Sequence, residues 1–386
     1  MKKICFVATI PAIVHTFLRE HIAASSQNYE VTVICSSIDV HLIEGLAARV
    51  ILLPIERRPS ALRDLLVLVS LIRVFKRERF DLVHSHFPKT GLLGMIAAFI
   101  TRVPVRVHTF HGEVWATRAG LARHALKWLD HLVALLATNV LVVSPSQQAF
   151  LVHEGILRSG KSRVLGAGSV CGVDTRRFRP DEQARRVVRE TMRIDQDAIL
   201  ILYVGRLNLD KGLLDLAKAF ATLPIQASKL FLLLVGTVED LSFETIQQAC
   251  EQRRDAVLHI NFSTSPERFM AAADIYCLPS YREGFGLSVI EAAACGLPAV
   301  GSRINGIVDA VSDGVTGLLF PSGNVEKLRD ALMALISDKS LRQLMGDKAR
   351  VRAGSLFVSE NITQALMSYY DSLCTQKTAD HVKTPA

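Results

Sequence analysis

The stretch "YREGFGLSVIEAAACGLPAVGS" (281–302) carries the most informative chemical spacing in the chain, two glutamates around a glycine-framed turn. Gly284 and Gly286 mark a backbone that bends or is closely approached. From Leu287 to Ala294 the pattern predicts a helix, stopped by Gly296 and Pro298. Glu283 then lies just outside the helix N-terminus and Glu291 about one turn inside it. One such carboxylate is ordinary helix-end electrostatics. Two of them beside free backbone N–H groups would line a site where phosphate meets a sugar.

A second segment, "LYVGRLNLDKG" (202–212), ends a strand and enters a helix. Gly205 frees the turn, and Arg206 and Lys211 place two cations where the helix begins. Cations beside helix N–H groups suit a diphosphate. Alone, a solvated strand–helix loop explains the segment equally well; with the glutamate turn, one diphosphate pocket explains both. In the first half, "VRVHTFHGEVW" (105–115) ends a strand with His108, Thr109 and His111. If the strand persists, alternation puts His108 and His111 on opposite faces, and His111, beside Gly112 at the strand's carboxyl end, is the one placed to reach a ligand. His84 and His86 in "DLVHSHF" fit structural or acceptor-site roles, since no third residue at ligand spacing favours a metal.

Other motifs fail. "GFGLSV" lacks the third glycine of a dinucleotide fingerprint and follows no strand directly. "PKTG" (88–91) is not a P-loop, "DQD" (195–197) stands apart from the other site residues, and no Ser-His-Asp set or GxSxG elbow occurs.

These residues need elements to hold them. The chain has 386 residues, long for one core, so two domains are expected. Short β-branched runs alternate with helical patterns: "ICFVATI", "EVTVICS", "RVILLPI", "DLVHSH", "VRVHTF" and "NVLVVS" first, then "AILILYVG", "KLFLLLVG", "AVLHI", "DIYCLPS" and "PAVGS". Strands buried on both faces and followed by helices predict α/β architecture with doubly wound parallel sheets. The reading is two facing Rossmann-like domains with ligands in the cleft between them. Residues 1–175 form a basic first domain, 176–358 a second, and 359–386 a terminal helix returning towards the first, with a polar end expected to fray.

Composition bounds the partners. The net charge is +8, and residues 1–180 hold 23 Lys and Arg against 12 Asp and Glu, the remainder 22 against 25. A basic first half is expected to meet something anionic: nucleic acid, lipid headgroups or a diphosphate. Seven scattered cysteines without a CxxC suit reduced, buried thiols in a cytosolic protein. "MKKICFVATIPAIV" has the outline of a signal peptide, but Pro11 and His15 interrupt it and a first strand at 3–9 is preferred. No apolar run reaches the roughly 20 residues of a membrane span.

Taken together, the chain resembles a retaining glycosyltransferase of the GT-B fold, family 4, over about residues 1–374. The resemblance rests on the Glu-x7-Glu signature from Glu283 to Glu291, followed by "AAACGLPAV", and on "VGRLNLDKG", "GVDTRRF", "DGVTGLLF" and "HTFHG" in the family's order. It implies that Glu283 binds donor-sugar hydroxyls, with the backbone of Gly284, Phe285, Gly286 and Leu287 near sugar and diphosphate. Glu291 would hold the ribose hydroxyls, Gly205 would shape the turn, and Arg206 and Lys211 would neutralise the leaving diphosphate. His111 would lie near the reacting sugar, from the opposite domain. The family mechanism keeps the anomeric configuration with no metal, no cofactor and no dedicated protein base.

Two departures stand out: the glycine pair usual after the first strand is absent from "TIPAIVHTFLREH", and Asp309 stands where glutamate is more usual. In the family that first loop helps shape the acceptor site, so its departure leaves the acceptor's identity less legible; the acceptor region is expected around Thr9, Pro11, His15, His86 and Lys89. The subgroup resembled extends capsule, O-antigen or lipopolysaccharide precursors, with a UDP-linked hexose or N-acetylhexosamine as donor and a polyprenyl-diphosphate-linked saccharide as acceptor. Segments 60–80 and 116–136 mix apolar residues with Arg, Lys and His, as interfacial helices do, so docking on an anionic membrane, at the cytoplasmic face, is expected. The competing readings are a nucleotide-sugar 2-epimerase of the same fold and a basic nucleic-acid-binding protein. The glutamate signature disfavours the first. The second lacks a helix-turn-helix or clustered aromatics, so no nucleic-acid partner is expected.

Overall fold

The computed structural model of the chain describes residues 1–56, 58–224 and 229–382. It divides into two compact units, one of Met1–Cys171 with the segment from Ser359 onward, the other of Gly172–Val358.

The first unit is built on seven parallel strands, β1 (Lys3–Val7), β2 (Glu30–Cys35), β3 (Arg49–Leu52), β4 (Leu82–His86), β5 (Val105–Phe110), β6 (Asn139–Val142) and β7 (Ser162–Val164). Their order is β3-β2-β1-β4-β5-β6-β7. The central strands are buried on both faces because helices cover both, as in a doubly wound sheet. On one face Val67, Leu71 and Phe75 of the helix Ala61–Glu78 pack with Met95 and Val133 of neighbouring helices. On the other, Ile362, Leu366 and Tyr370 of the helix Ser359–Val382 join Phe6, Val33 and Val107. That terminal helix therefore completes the first unit's core. It extends as helix to Val382; the rest of the polar end expected to fray, 383–386, lies outside the described residues.

The second unit carries β8 (Ile199–Val204), β9 (Leu230–Val235), β10 (Val257–Ile260), β11 (Ile275–Leu278), β12 (Ala299–Ser302) and β13 (Gly317–Phe320). They lie in the order β10-β9-β8-β11-β12-β13, all neighbours parallel. Strands β7 (three residues) and β13 (four) are edge strands that the sequence pattern did not single out. Both sheets reverse winding direction beside their first strand, at β1/β4 and at β8/β11. Ligands of such folds bind outside the carboxyl ends of the strands at that reversal.

Candidate functional site

In the second unit the reversal point assembles the residues singled out by spacing. Gly205 and Arg206 follow β8 directly. Lys211 ends a short 3-10 turn, Leu209–Lys211, before the helix Leu213–Ala221. Glu283 follows β11, in the loop before the helix Leu287–Ala294, whose N-cap is Gly286 in the left-handed region (φ 88°). A side chain there would be strained, which explains a glycine at this cap.

Lys211 forms an ion pair with Glu283, both side chains mostly buried. Ser280 donates a further hydrogen bond of 3.0 Å to the same carboxylate oxygen. Arg206 pairs with Glu239, which also accepts from Asn208 Nδ2 at 2.8 Å. The Tyr203 hydroxyl donates to the Arg206 carbonyl at 2.7 Å and so fixes the turn that carries the guanidinium. Both cations expected to meet a diphosphate are thus held by carboxylates from other loops.

The glycine turn is braced from behind. A Cβ on Gly306 (φ +84°) would lie 2.4 Å from the Gly284 carbonyl oxygen, so only glycine lets the two loops approach this closely. Phe285 is buried, its ring against Phe357 at 5.3 Å, which leaves only its backbone for a ligand. Tyr276 reaches from β11 to donate to Ser288 Oγ at 2.7 Å, in the first turn of the helix. Glu291, one turn in, has its carboxyl pushed up to about 7 by burial, with Arg177 opposing the shift. Arg177 is itself bound to Glu267 at 2.8 Å and to the Thr264 carbonyl at 2.6 Å.

In the first unit, Thr9, His86 and His111 lie at the carboxyl ends of β1, β4 and β5. His86 Nδ1 and His111 Nε2 are 3.0 Å apart. The Phe87 ring stacks on His111 at 4.1 Å and 8°. Phe87 itself sits at φ 67°, ψ 156°, a region otherwise left to glycine. Burial lowers the His111 pKa to about 3, with His108 adding to the shift, so the ring is neutral. His108 turns to the other face, where Ser85 Oγ lies 2.9 Å from its Nδ1 and Gly91 leaves room for the ring. His84 is a core histidine, bonded to Thr109 at 2.7 Å and to Tyr370 at 2.5 Å.

The remaining acceptor-region residues are differently engaged. Thr9 lies 3.3 Å from Thr90, and Pro11 opens a helix that continues through a π-turn, Val14–Leu18. His15, exposed in that turn, meets the Leu42 carbonyl at 3.0 Å. Lys89 pairs with Asp64 at 2.6 Å and bonds the Arg58 carbonyl at 2.8 Å, tying two helices together. Sequence reasoning missed Glu239, Ser280, Tyr276, Gly306 and Phe87. Glu239 had a signal, since "VGTVED" puts carboxylates at the carboxyl end of β9. Among the described residues no cluster of His, Cys, Asp or Glu is arranged to hold a metal, and no helix is long and apolar enough to cross a membrane.

Comparison with known proteins bears on this arrangement. Residues 185–352 match the family model "Glycosyl transferases group 1", and residues 16–168 match "Glycosyl transferase 4-like domain". The chain is 29% identical over 321 residues to the capsular polysaccharide biosynthesis glycosyltransferase CapM of Staphylococcus aureus, covering 83% of this chain and 84% of that one. A D-inositol 3-phosphate glycosyltransferase of Kribbella flavida is 31% identical over 75% of this chain and 71% of its own. An Escherichia coli UDP-Gal:alpha-D-GlcNAc-diphosphoundecaprenol alpha-1,3-galactosyltransferase is 28% identical over 74% of each. Among solved structures, sucrose-phosphate synthase of Thermosynechococcus elongatus superposes with a TM-score of 0.82 at 23% identity, covering 97% of this chain and 100% of that one. HepE of Anabaena, in complex with UDP, superposes with a TM-score of 0.78 at 21% identity, covering 96% and 100%. The chain is a GT-B-fold protein and belongs to the group 1 glycosyl transferases.

Proposed function

We propose that the protein is a retaining, metal-independent transferase that moves a hexose or N-acetylhexosamine from a UDP-sugar to a polyprenyl-diphosphate-linked saccharide in surface polysaccharide synthesis. The observation that carries this reading is the convergence of Lys211, Ser280 and Glu283 at the carboxyl ends of β8 and β11. UDP is supported by the HepE complex. The lipid-linked acceptor and polysaccharide pathway are supported by the E. coli and S. aureus relatives.

In this reading the second unit takes the donor. Glu283 binds sugar hydroxyls as acceptor, and the ionised Glu291 accepts hydrogen bonds from the ribose hydroxyls. Arg206 and Lys211 exchange part of their carboxylate pairing for the diphosphate. As the anomeric C–O bond to the diphosphate breaks, negative charge grows on the leaving phosphate and fixed cations stabilise it. The acceptor oxygen bonds to the anomeric carbon from the same face, and its proton passes to the departing phosphate oxygen. The first unit takes the acceptor, with His111 addressing the reacting sugar.

The first unit also offers a surface for membrane docking. Leu62, Leu65 and Leu66 of the helix Ala61–Glu78 are exposed, as are Leu121, Trp128 and Leu135 of the helix Gly120–Leu136. Basic residues intersperse both helices, the composition of an interfacial face on anionic lipid. Such docking would place the enzyme peripherally on the cytoplasmic membrane face.

The inositol-phosphate transferase from K. flavida favours a second reading, in which the acceptor is a soluble phosphorylated polyol. One experiment separates the two. Purified protein with EDTA is offered UDP-, GDP- and dTDP-sugars, against polyprenyl-diphosphate saccharides or inositol phosphates, with product mass as readout. A lipid heavier by one sugar, lost in Glu283→Ala, is the expected result. A glycosylated inositol phosphate would establish the second reading, and no product despite UDP binding would refute the acceptor half of both.

A further inference from the structure

His86 and His111 close the carboxyl ends of the adjacent strands β4 and β5, with His86 Nδ1 3.0 Å from His111 Nε2. Phe87 stacks on the His111 ring and Phe17 lies tilted 6.2 Å from it, so the ring has one orientation. Its second nitrogen, Nδ1, has no protein hydrogen-bond partner among the described residues and is not one of the buried unpaired atoms, so it faces outward. Burial, reinforced by the neighbouring imidazoles, holds His86 far below the ordinary histidine pKa, and His111 is neutral as well.

Two neutral imidazoles in contact share one proton, and its placement fixes both outer nitrogens. If His111 Nε2 were the donor, His86 would carry its own proton on Nε2. That atom is buried and has no protein partner within reach. His86 lines a cavity of about 20 Å³ together with His21, His84, Thr109 and Ser169 and aliphatic side chains such as Leu141 and Leu165, and none of these groups bonds its Nε2. A buried N–H without an acceptor costs about 1–3 kcal/mol. Orphaned donors are also rarer in native proteins than under-used acceptors. With the proton on His86 Nδ1 instead, the inner nitrogen is a bare lone pair and no donor is stranded.

We propose that His86 is a positioning residue whose Nδ1–H donates to His111 Nε2 and so holds His111 as the Nδ1–H tautomer, presenting an N–H outward. The consequence for catalysis rests on reading His111 as the side chain that addresses the reacting sugar. An imidazole fixed this way donates to a sugar or acceptor oxygen and cannot remove the acceptor's proton. It is an orienting donor, and the proton is left to the departing diphosphate.

The test uses the full chain labelled with ¹⁵N-histidine, unliganded, with the two rings assigned through His111→Gln and His86→Asn. Long-range ¹H–¹⁵N correlation is expected to show a protonated Nδ1 and a bare Nε2 on both rings. A proton on His111 Nε2 overturns the proposal, whether or not the protein proves to be a transferase. Kinetics provide the second arm. His86→Asn keeps a side-chain donor near the original Nδ1 and is expected to hold kcat within about threefold. His86→Phe keeps the ring shape without a donor and is expected to lose about 10- to 100-fold in kcat with donor KM nearly unchanged. Equal losses in both variants, or none in His86→Phe, overturn the positioning role. Absence of transfer by the wild type would refute the functional reading of His111 alone, since the tautomer is read without substrate.

Discussion

Lys211 and Glu283 are joined in an ion pair across 72 residues of sequence, a cation from the loop after β8 holding the carboxylate that precedes the glycine turn after β11. With both side chains mostly buried, each is the other's main compensation for lost solvent. Removing one partner of such a pair strands the other charge, at a cost of about 3–5 kcal/mol when the pair is fully buried. Glu283→Gln keeps the shape and a hydrogen-bonding group, and is expected to lose at least about 100-fold in kcat. Lys211→Met is expected to raise donor KM as well. Steady-state kinetics beside thermal unfolding check this, and a Glu283→Gln enzyme with wild-type kcat would remove Glu283 from the donor site.

Glu239 holds Arg206 at an open position, where ion pairs contribute about 0.2–1 kcal/mol. If the guanidinium must turn to a diphosphate, that pairing opposes donor binding. Glu239→Gln is therefore expected to tighten UDP binding by two- to fivefold and slow its release. Calorimetry gives the affinity and stopped-flow displacement the rate. Weaker binding would show that Glu239 orients Arg206 for the ligand.

The buried Glu291 carboxyl, raised to about 7, gives donor binding a pH dependence. Below 7 the group is protonated, and binding a ribose as carboxylate requires losing that proton, so UDP affinity is expected to fall as pH drops from 8 to 6. Glu291→Gln should weaken binding and flatten this profile to that of the phosphate alone. Stability runs the other way. A folded pKa above the unfolded value near 4.3 stabilises the folded state fully below about pH 4, and that contribution is lost as pH rises through 7. Glu291→Gln, spared the ionisation, should gain stability relative to wild type between pH 5 and 8.

Phe87 is a strained residue beside His111, and its backbone conformation costs about 1–3 kcal/mol. Phe87→Gly relieves that strain while removing the ring stacked on His111. Thermal stability is expected to stay level or rise while kcat falls about tenfold. A large drop in melting temperature with unchanged kcat would make Phe87 a packing residue only.

Trp128 reports on the membrane face. The chain has two tryptophans; Trp115 is buried at 1% exposure and Trp128 is exposed at 62%. A blue shift of emission on adding anionic vesicles, reversed by salt and absent with neutral lipid, is expected. Leu65→Asp with Leu66→Asp should abolish it. No shift at low salt would refute docking through these helices.

Much of this protein is written locally. The runs that became β1, β8 and β11 are apolar because parallel strands are buried on both faces, and that pattern survives in a single sequence. The helix Leu287–Ala294 was bounded by its glycines and proline, whereas His111 lies just past the end of β5 at Phe110, so alternation along that strand does not itself set its direction. Partnership was not legible. Which carboxylate holds Arg206, what braces Gly284 from behind and how His111 meets His86 depend on loops brought together only when β8 lies beside β9, β11 beside β12 and β4 beside β5. Gly306 and Gly284, or Tyr370 and His84, carry no signal of each other in sequence, because nothing about one residue's type specifies a partner in another loop or helix, whether it lies tens or hundreds of positions away. The sequence determined the two sheets and the residue types at their carboxyl ends; the packing of loops at those ends decided which charges are paired, which proton donors face outward and which backbone is strained.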